Sequence, residues 1–529
     1  MFAKGRRCWL WLVVLCALCL SACQPDSARP PDTLVIAQSA EPKSLDPHVA
    51  TSLNDFRVLE NVYEGLVRFK PGTMDIEPAL AERWEISEDG RVYTFYLRGG
   101  VRFHDGSPFN AEAVQYNFER LLDPEHPEYD TGPFPLSFFF ATVERVEVVN
   151  DLTVRLHLKE PFAPLLANLA YPTGYKVSPS ELRRLRGDFG RMPSGTGPFR
   201  VAEWQSNRFV RLERYEGYWG TPPKLAQVYF KTVTDENARL TELLSGAADL
   251  IVEVSPDMIQ FFRDDAAFQV YEESGPHLWF LIFNLRSPVL EDVRVRQAIN
   301  YAIDKQGLTE KLLQGTASVA AGPVPKAFGW AYDEALQPYP YDPGKARELI
   351  NAAETEGAPL TLFATESGSG MLDPKGMAEA IQADLAAVGL DVTIETYEWN
   401  TYLSKVNGGL EGQADMAEMA WMTNDPDTLP FLTLRSQAWP EQGGFNSGYY
   451  ANEQVDQWLE QARRETDLDK RAALYRKVQQ VVHEEAPWAV IASWRQNAVA
   501  SGAVHGLRLE PSFLFRLNSV TIDNAEVQP

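Results

Sequence analysis

Apolar residues recur along this chain with two different periods, and the changes from one to the other mark out its elements. Residues 33–38, TLVIAQ, form a short β-branched run that predicts a first strand. In 54–69, NDFRVLENVYEGLVRF, the residues Phe56, Leu59, Val62, Tyr63 and Leu66 recur three and four apart, which predicts a helix over the whole stretch. From about 75 to 190 the pattern turns β-rich. Residues 91–97, RVYTFYL, alternate, with Tyr93, Phe95 and Leu97 on one face and Val92, Thr94 and Tyr96 on the other. Residues 143–158 read as a hairpin that turns at Asn150-Asp151. A Gly- and Pro-rich junction at 194–204, SGTGPFRVAEW, precedes the strand RFVRLER.

Beyond the strand-like run LWFLIFNL, 278–285, helical and extended patterns alternate. Asp292 opens a helix carrying Val295, Ala298, Ile299, Ala302 and Ile303 on one face. A second helix over 377–389 ends at Gly389 and gives way at once to a strand over 390–396. Helices over 453–465 and 468–485 follow, the latter stopped before Pro487, and a strand returns at 488–494. A chain of 529 residues exceeds one hydrophobic core and predicts two or three lobes.

The first residues carry a different message. Lys4, Arg6 and Arg7 precede the apolar run CWLWLVVLCALCL, 8–20, which is too short for a membrane span, and Leu-Ser-Ala-Cys follows at 20–23. This order predicts a signal peptide over 1–22 and a lipid-bearing Cys23, with 23–33 as a polar, Pro-rich tether. The other cysteines, Cys8, Cys16 and Cys19, leave with the signal, so the mature chain has no disulfide and no thiol chemistry. Cleavage before Cys23 removes three basic residues and no acid, taking the net charge from −24 to −27. That charge argues against nucleic acid as a partner and against adhesion to anionic lipid, leaving the lipid anchor as the only membrane contact.

Candidate chemistry is sparse. None of the seven histidines has a partner at the i, i+4 spacing of a helical zinc site, and Asp425-Pro426-Asp427 lacks the Gly and distal Glu of a calcium loop. No cofactor and no metal are expected. There is no G-x-S-x-G elbow and no phosphate-binding G-x-x-x-x-G-K-[ST], so a secreted hydrolase would lack an assembled nucleophile and base. Ser367-Gly368-Ser369-Gly370 reads as a mobile loop and His104-Asp105-Gly106 as a turn. The positive signal is aromatic: Trp279, Tyr397, Trp399, Trp421, Trp439 and Tyr449 sit near strand ends or loops, about half of them expected in cores and the rest along a cleft. Residues 420–431, AWMTNDPDTLPF, place two carboxylates in a Pro-stiffened loop after Trp421. Those carboxylates fit a metal site, an acid/base pair, a seat for a ligand cation or a helix cap.

Several stretches together resemble the solute-binding proteins of bacterial peptide ABC transporters, the dipeptide/oligopeptide-binding family. They include EPKSLDPH (41–48), YEGLVRF, PALAERWEISEDGRVYTFYLRGGVRFHDGSPFNAEAV, GTGPFRVAEW, YEGYWG, FNLRSPVLEDVRVRQAINYAIDK and AEAIQADLAAVGLDV, in order from about 34 to 520. The resemblance implies an α/β, bilobal, periplasmic-binding-protein-like fold of type II with three subdomains. Lobe I would comprise 34–70, 194–283 and 492–529, with a β-rich subdomain, 71–193, inserted in it, and lobe II would be 284–491. Strands would cross between the lobes near 276–286 and 485–494, with hinges near Pro276 and Pro487. Such a protein is not an enzyme. It works as a monomer, captures a peptide or peptide-like solute outside the cytoplasm and hands it to an ABC transporter permease.

The resemblance also implies site residues. In peptide-binding relatives an Asp three positions after the Trp pairs with the peptide's α-ammonium. The matching position here is Asn424, and the acid is displaced to Asp425. Dipeptide binders carry an Arg for the peptide carboxylate just before the AEAIQAD helix, where this chain reads ESGSGMLDPK. The run SQAWPEQGGFNSGYYANEQVDQWLEQA is similar to glutathione-binding members. The expected ligand contacts are Thr51, Trp399, Trp421, Asn424 and Asp425, with Asp425 rather than Asp427 meeting a ligand amine. Glutathione, a nickel chelate, haem or an opine are the alternative solutes.

Overall fold

The computed structural model describes residues 30–368 and 370–523; the leader and Cys23 lie outside the described residues. Among the described residues no helix is long and apolar enough to cross a membrane. One strand, Trp488–Ser501, organises a twelve-stranded sheet. Its first half pairs with His277–Phe283, beyond which lie Met416–Met422, Pro359–Thr365 and Asp391–Tyr397 in that order. Its second half pairs with Phe268–Ser274 and with Leu250–Val252. Beyond Leu250–Val252 lie Thr33–Gln38, Gln227–Thr232, Phe209–Arg214 and Phe199–Gln205. The chain therefore passes between two α/β halves twice: at Gly275-Pro276, between two strands that share one partner, and at Ser493-Trp494, within that partner.

The expected crossing near Pro276 lies at this passage. Pro487 does not. It sits at the far end of His277–Phe283, where its carbonyl accepts the Phe283 N–H at 3.1 Å, inside the second half of the molecule. The physical reason is the length of Trp488–Ser501: fourteen residues run unbroken through both halves, so the passage falls in mid-strand and not at the proline.

Helix-connected parallel strands build each half, as alternating helical and extended patterns require. Pro359–Thr365 runs parallel to Asp391–Tyr397 through the helix Pro374–Ala387, which Asp373 caps by accepting the Gly376 N–H. Asp292 caps Val293–Ala302 in the same way, accepting from Arg294 N–H. The β-rich stretch forms a separate four-stranded antiparallel sheet: Ala81–Ile86, Val92–Leu97, Thr153–Leu158 and Val143–Asn150. Its inward face carries Tyr93, Phe95, Leu97, Val154 and Leu156, all buried, against Val114 and Phe118 of Ala111–Leu122. The hairpin turns at Asp151-Leu152, one residue later than its sequence indicates, because an irregularity between Val148 and Asn150 shifts the register and pairs Asn150 with Thr153.

The predicted helix over 54–69 is shorter than its periodicity. It runs Leu53–Val62, and Val67–Phe69 becomes a strand paired with Ile76–Pro78. Tertiary contacts claim the difference. Gly197 N–H donates to the Val62 carbonyl at 2.9 Å and Lys176 N–H to Glu64 O at 3.0 Å. A Cβ on Gly65 would lie 2.4 Å from Leu169 O, so only glycine permits that close packing.

Candidate functional site

A cleft of about 900 Å³ opens beside the two passages. One wall comes from the first half of the molecule and includes Lys43, Thr51, Asn54 and Glu253. The facing wall comes from the second half and includes Leu372, Trp399, Met419, Trp421 and Phe445. His277, Trp494 and Phe513 complete it beside the passages.

Asp55 shapes the first wall. It is fully buried, and its carboxylate accepts the N–H groups of Lys43 at 2.7 Å, Thr51 at 3.3 Å and Ser52 at 3.1 Å. Ser52 accepts the Asp55 N–H in return, closing a capping box at the start of Leu53–Val62. One acid thus pins two separate segments, and Thr51 is left exposed on the rim.

Glycines shape the second wall. Trp399 opens the helix Trp399–Asn407 and stacks on Tyr402 at 5.9 Å and 11°. A Cβ on Gly368 would come within 2.7 Å of the Trp399 ring. Gly370 adopts φ +75°, and a Cβ there would lie 3.1 Å from His277. Of the stretch read from sequence as a mobile loop, Gly370 lines the cleft, and Gly368 forms a bridge with Met371. Trp421, half-buried, lies opposite Leu278 across a strand pair and meets Phe445 edge-on at 5.6 Å.

His277 ties the wall to the passage. Its Nδ1 accepts the backbone N–H of Trp494 at 3.1 Å, which requires the proton on Nε2, and Nε2 lies 2.8 Å from Gly370 O. Burial pushes its pKa down to about 4, against a smaller upward effect of the Gly370 bond, so the ring is neutral at physiological pH. The indole Nε1–H of Trp494 is buried with no hydrogen-bond partner among the described residues. The Trp494 ring tilts against Phe513 at 5.1 Å.

Thr51, Trp399 and Trp421 thus meet around one cleft; Asn424 and Asp425 are elsewhere. The chain turns inward after Met422. Asn424 is 3% exposed and donates to the Asn168 side chain at 2.8 Å. Asp425 is 4% exposed and takes two bonds from Arg471, at 2.5 and 3.1 Å. Asp425, expected to meet a ligand amine, is already paired with a cation of the protein itself, Arg471 on Leu468–Glu485. Burial alone would lower the pKa of Arg471, and Asp425 reverses the shift upward. Asp427 stands at the start of Thr428–Thr433 without capping it; its Oδ2 takes an ion pair from Arg463 at 3.1 Å. Burial pushes Asp427 up to about 6, and the neighbouring Asp425 adds to the rise against the pull of Arg463. This loop borders a second cavity of about 660 Å³, together with Trp84, Tyr93, Phe328 and Trp330.

Of the other aromatics singled out in the sequence, Trp279 is buried in the core of the second half. Trp439 and Tyr449 pack on each other under the guanidinium of Arg286. Sequence reasoning missed Glu253, His277, Trp494 and Phe513. Only Glu253 carried a signal, an acid at the end of the apolar run LIV.

Comparison with known proteins agrees with this architecture. Residues 75–441 match the model of the family described as bacterial extracellular solute-binding proteins, family 5 middle region. Di/tripeptide-binding protein 2 of Pseudomonas aeruginosa is 32% identical over 512 residues, covering 93% of this chain and 95% of its own. Heme-binding protein A of Haemophilus influenzae is 33% identical over 485 residues, covering 88% and 87%. Among solved structures, an ABC transporter-associated periplasmic binding protein from Helicobacter pylori, in complex with the peptide STSA, superimposes with a TM-score of 0.75 at 30% identity, covering 93% of this chain and 98% of that one. With the matching region spanning most of its length and both halves meeting at a shared cleft, the chain belongs to the bacterial extracellular solute-binding proteins of family 5.

Proposed function

We propose that this protein captures a peptide or peptide-like solute in the 900 Å³ cleft and delivers it to an ABC transporter permease. The observation that carries the reading is the convergence of Thr51, Trp399 and Trp421, from opposite halves of the molecule, on one cleft beside the strand passages. Relatives named for di- and tripeptides support the ligand class. The walls close by rotation at Gly275-Pro276 and Ser493-Trp494, the two places where the chain changes halves. Closure excludes water, and the rings of Trp399 and Trp421 cover apolar parts of the solute. The role is binding and handover, without catalysis. The protein works as a monomer outside the cytoplasm, tethered through lipid on Cys23.

A second reading, a flat apolar solute such as haem, is favoured by Met419, Met422 and the rings around them, and by the haem-binding relative. Native mass spectrometry of the mature protein, incubated with an equimolar pool of di- and tripeptides, separates the two. Peptide-mass adducts that also raise the melting temperature support the first reading. A protein that ignores peptides and gives a Soret band with added haemin supports the second.

A further inference from the structure

In this cleft the only carboxylate among the described lining residues is Glu253. It stands between the strand Leu250–Val252 and the helix Pro256–Arg263, in the first half of the molecule. Its backbone is left-handed, φ 58°, a conformation that a non-glycine residue keeps only where its surroundings enforce it. They do. Asn497 clamps the segment: its carbonyl accepts the Glu253 N–H at 3.3 Å, its side chain accepts the Val254 N–H at 2.8 Å and donates to Val254 O at 3.0 Å. The Glu253 side chain is equally fixed. Oε1 accepts from Arg57 at 2.9 Å and Oε2 from the Ser39 hydroxyl at 2.5 Å.

Arg57 and Glu253 are unequal partners. The arginine side chain is 3% exposed and the glutamate side chain 28% exposed. Arg57 therefore lies behind, and the acid faces the cleft. A carboxylate has about four lone-pair sites, and two are used, leaving acceptor capacity on both oxygens. Burial would raise the pKa of Glu253, but Arg57 and the Ser39 bond outweigh it and hold the carboxyl below its usual range, so the group is charged at neutral pH. The same cleft is lined by Trp421, Trp494 and Phe513, aromatic side chains of the kind that attract cations. Neither acid of the 425–427 loop lines this cleft: Asp425 pairs with Arg471, and Asp427, through Oδ2, with Arg463.

We infer that Glu253 seats a cationic nitrogen of the solute, a primary ammonium or guanidinium, from the wall opposite Trp399 and Trp421. This rests on the peptide reading above. The nitrogen has two sources, the peptide's α-ammonium or a Lys or Arg side chain, and both give the same charge-assisted contact.

The test uses the mature chain and three peptide pools, with affinity read by native mass spectrometry and calorimetry. The first pool is di- and tripeptides with neutral side chains and free amines. The second is the same pool Nα-acetylated, and the third is Nα-acetylated peptides containing Lys or Arg. Loss of one partner of a desolvated charge pair predicts at least a ~30-fold drop between the first and second pools. Recovery with the third pool alone assigns the contact to a side-chain cation. Glu253→Gln should lose the preference for free over acetylated peptides. If that variant does not fold, the three pools on the wild type still decide. Equal affinity across all three pools overturns the role of Glu253 and leaves the peptide reading standing. Binding of none of the pools overturns both.

Discussion

Trp421 and Asp425 are four residues apart, and the chain uses them in opposite ways. Trp421 stands half-buried on a cleft wall, its ring against Phe445, where a solute can reach it. Asp425 is sealed, with both oxygens on Arg471. The same contrast separates the two ion pairs with a claim on function. Arg471–Asp425 is buried on both sides, whereas in Arg57–Glu253 only the arginine is buried. An ion pair closed on both sides offers nothing to a solute and holds elements together. One with an open carboxylate presents fixed charge to whatever enters the cleft. Which kind a residue belongs to depends on what the fold places behind it.

The contrast breaks most visibly at Arg471. Arg471→Ala leaves Asp425 buried and unpaired beside Asp427, and should cost about 3–5 kcal/mol of unfolding free energy. Denaturant melts measure that loss. Peptide affinity of the folded variant should stay within a few-fold of wild type, and a large affinity loss at unchanged stability would move the loop back to the cleft.

Asp427 gives the next largest effect, through pH. Its folded pKa of about 6 lies above the ordinary value of 3.8, so the folded state holds a proton that the unfolded chain releases first. The resulting stability is fully present below about pH 4 and is lost as pH rises through 6, a change of about 2–3 kcal/mol. Asp427→Asn does not titrate. The melting temperature of wild type relative to this variant should therefore fall between pH 4 and pH 7, and a flat difference would show that Arg463 keeps the acid ionised throughout.

Trp421→Ala tests the other side of the contrast. It should weaken peptide binding by about 2 kcal/mol, the size expected of an aromatic anchor, and cost less stability than the ~3–5 kcal/mol of a core Trp. Titration by calorimetry and a melt on one preparation read both. The smallest effect is expected at Lys43, exposed on the rim and the only Lys or Arg among the described residues lining the cleft. Lys43→Ala should reduce affinity for free-carboxylate peptides by less than ~1 kcal/mol, an effect that shrinks as salt is added.

Much of the fold was legible in periodicity. Thr33–Gln38 and Leu468–Glu485 begin and end where their patterns do, and the alternation of Val92–Leu97 matches its buried and half-buried faces. Where local pattern misled, distant partners had intervened. Ile76–Pro78 drew Val67–Phe69 out of a helical pattern, and a single long strand carried the second passage past Pro487. The site divides the same way. Thr51, Trp399 and Trp421, picked out by motif position and aromatic character, line the cleft between the halves. The state of Asp425 rests on Arg471, 46 positions away, and that of Glu253 on Arg57 and Ser39, 196 and 214 positions away. No window along the chain contains those pairs.

Photo-crosslinking locates the solute most directly. A dipeptide with a free amine and a diazirine side chain, bound to the mature protein and irradiated, should label the segments around Trp399 and Trp421 together with Glu253, and excess unmodified peptide should suppress the label. Adducts confined to Asn424–Asp427, or to Trp84 and Tyr93 on the second cavity, would contradict the account.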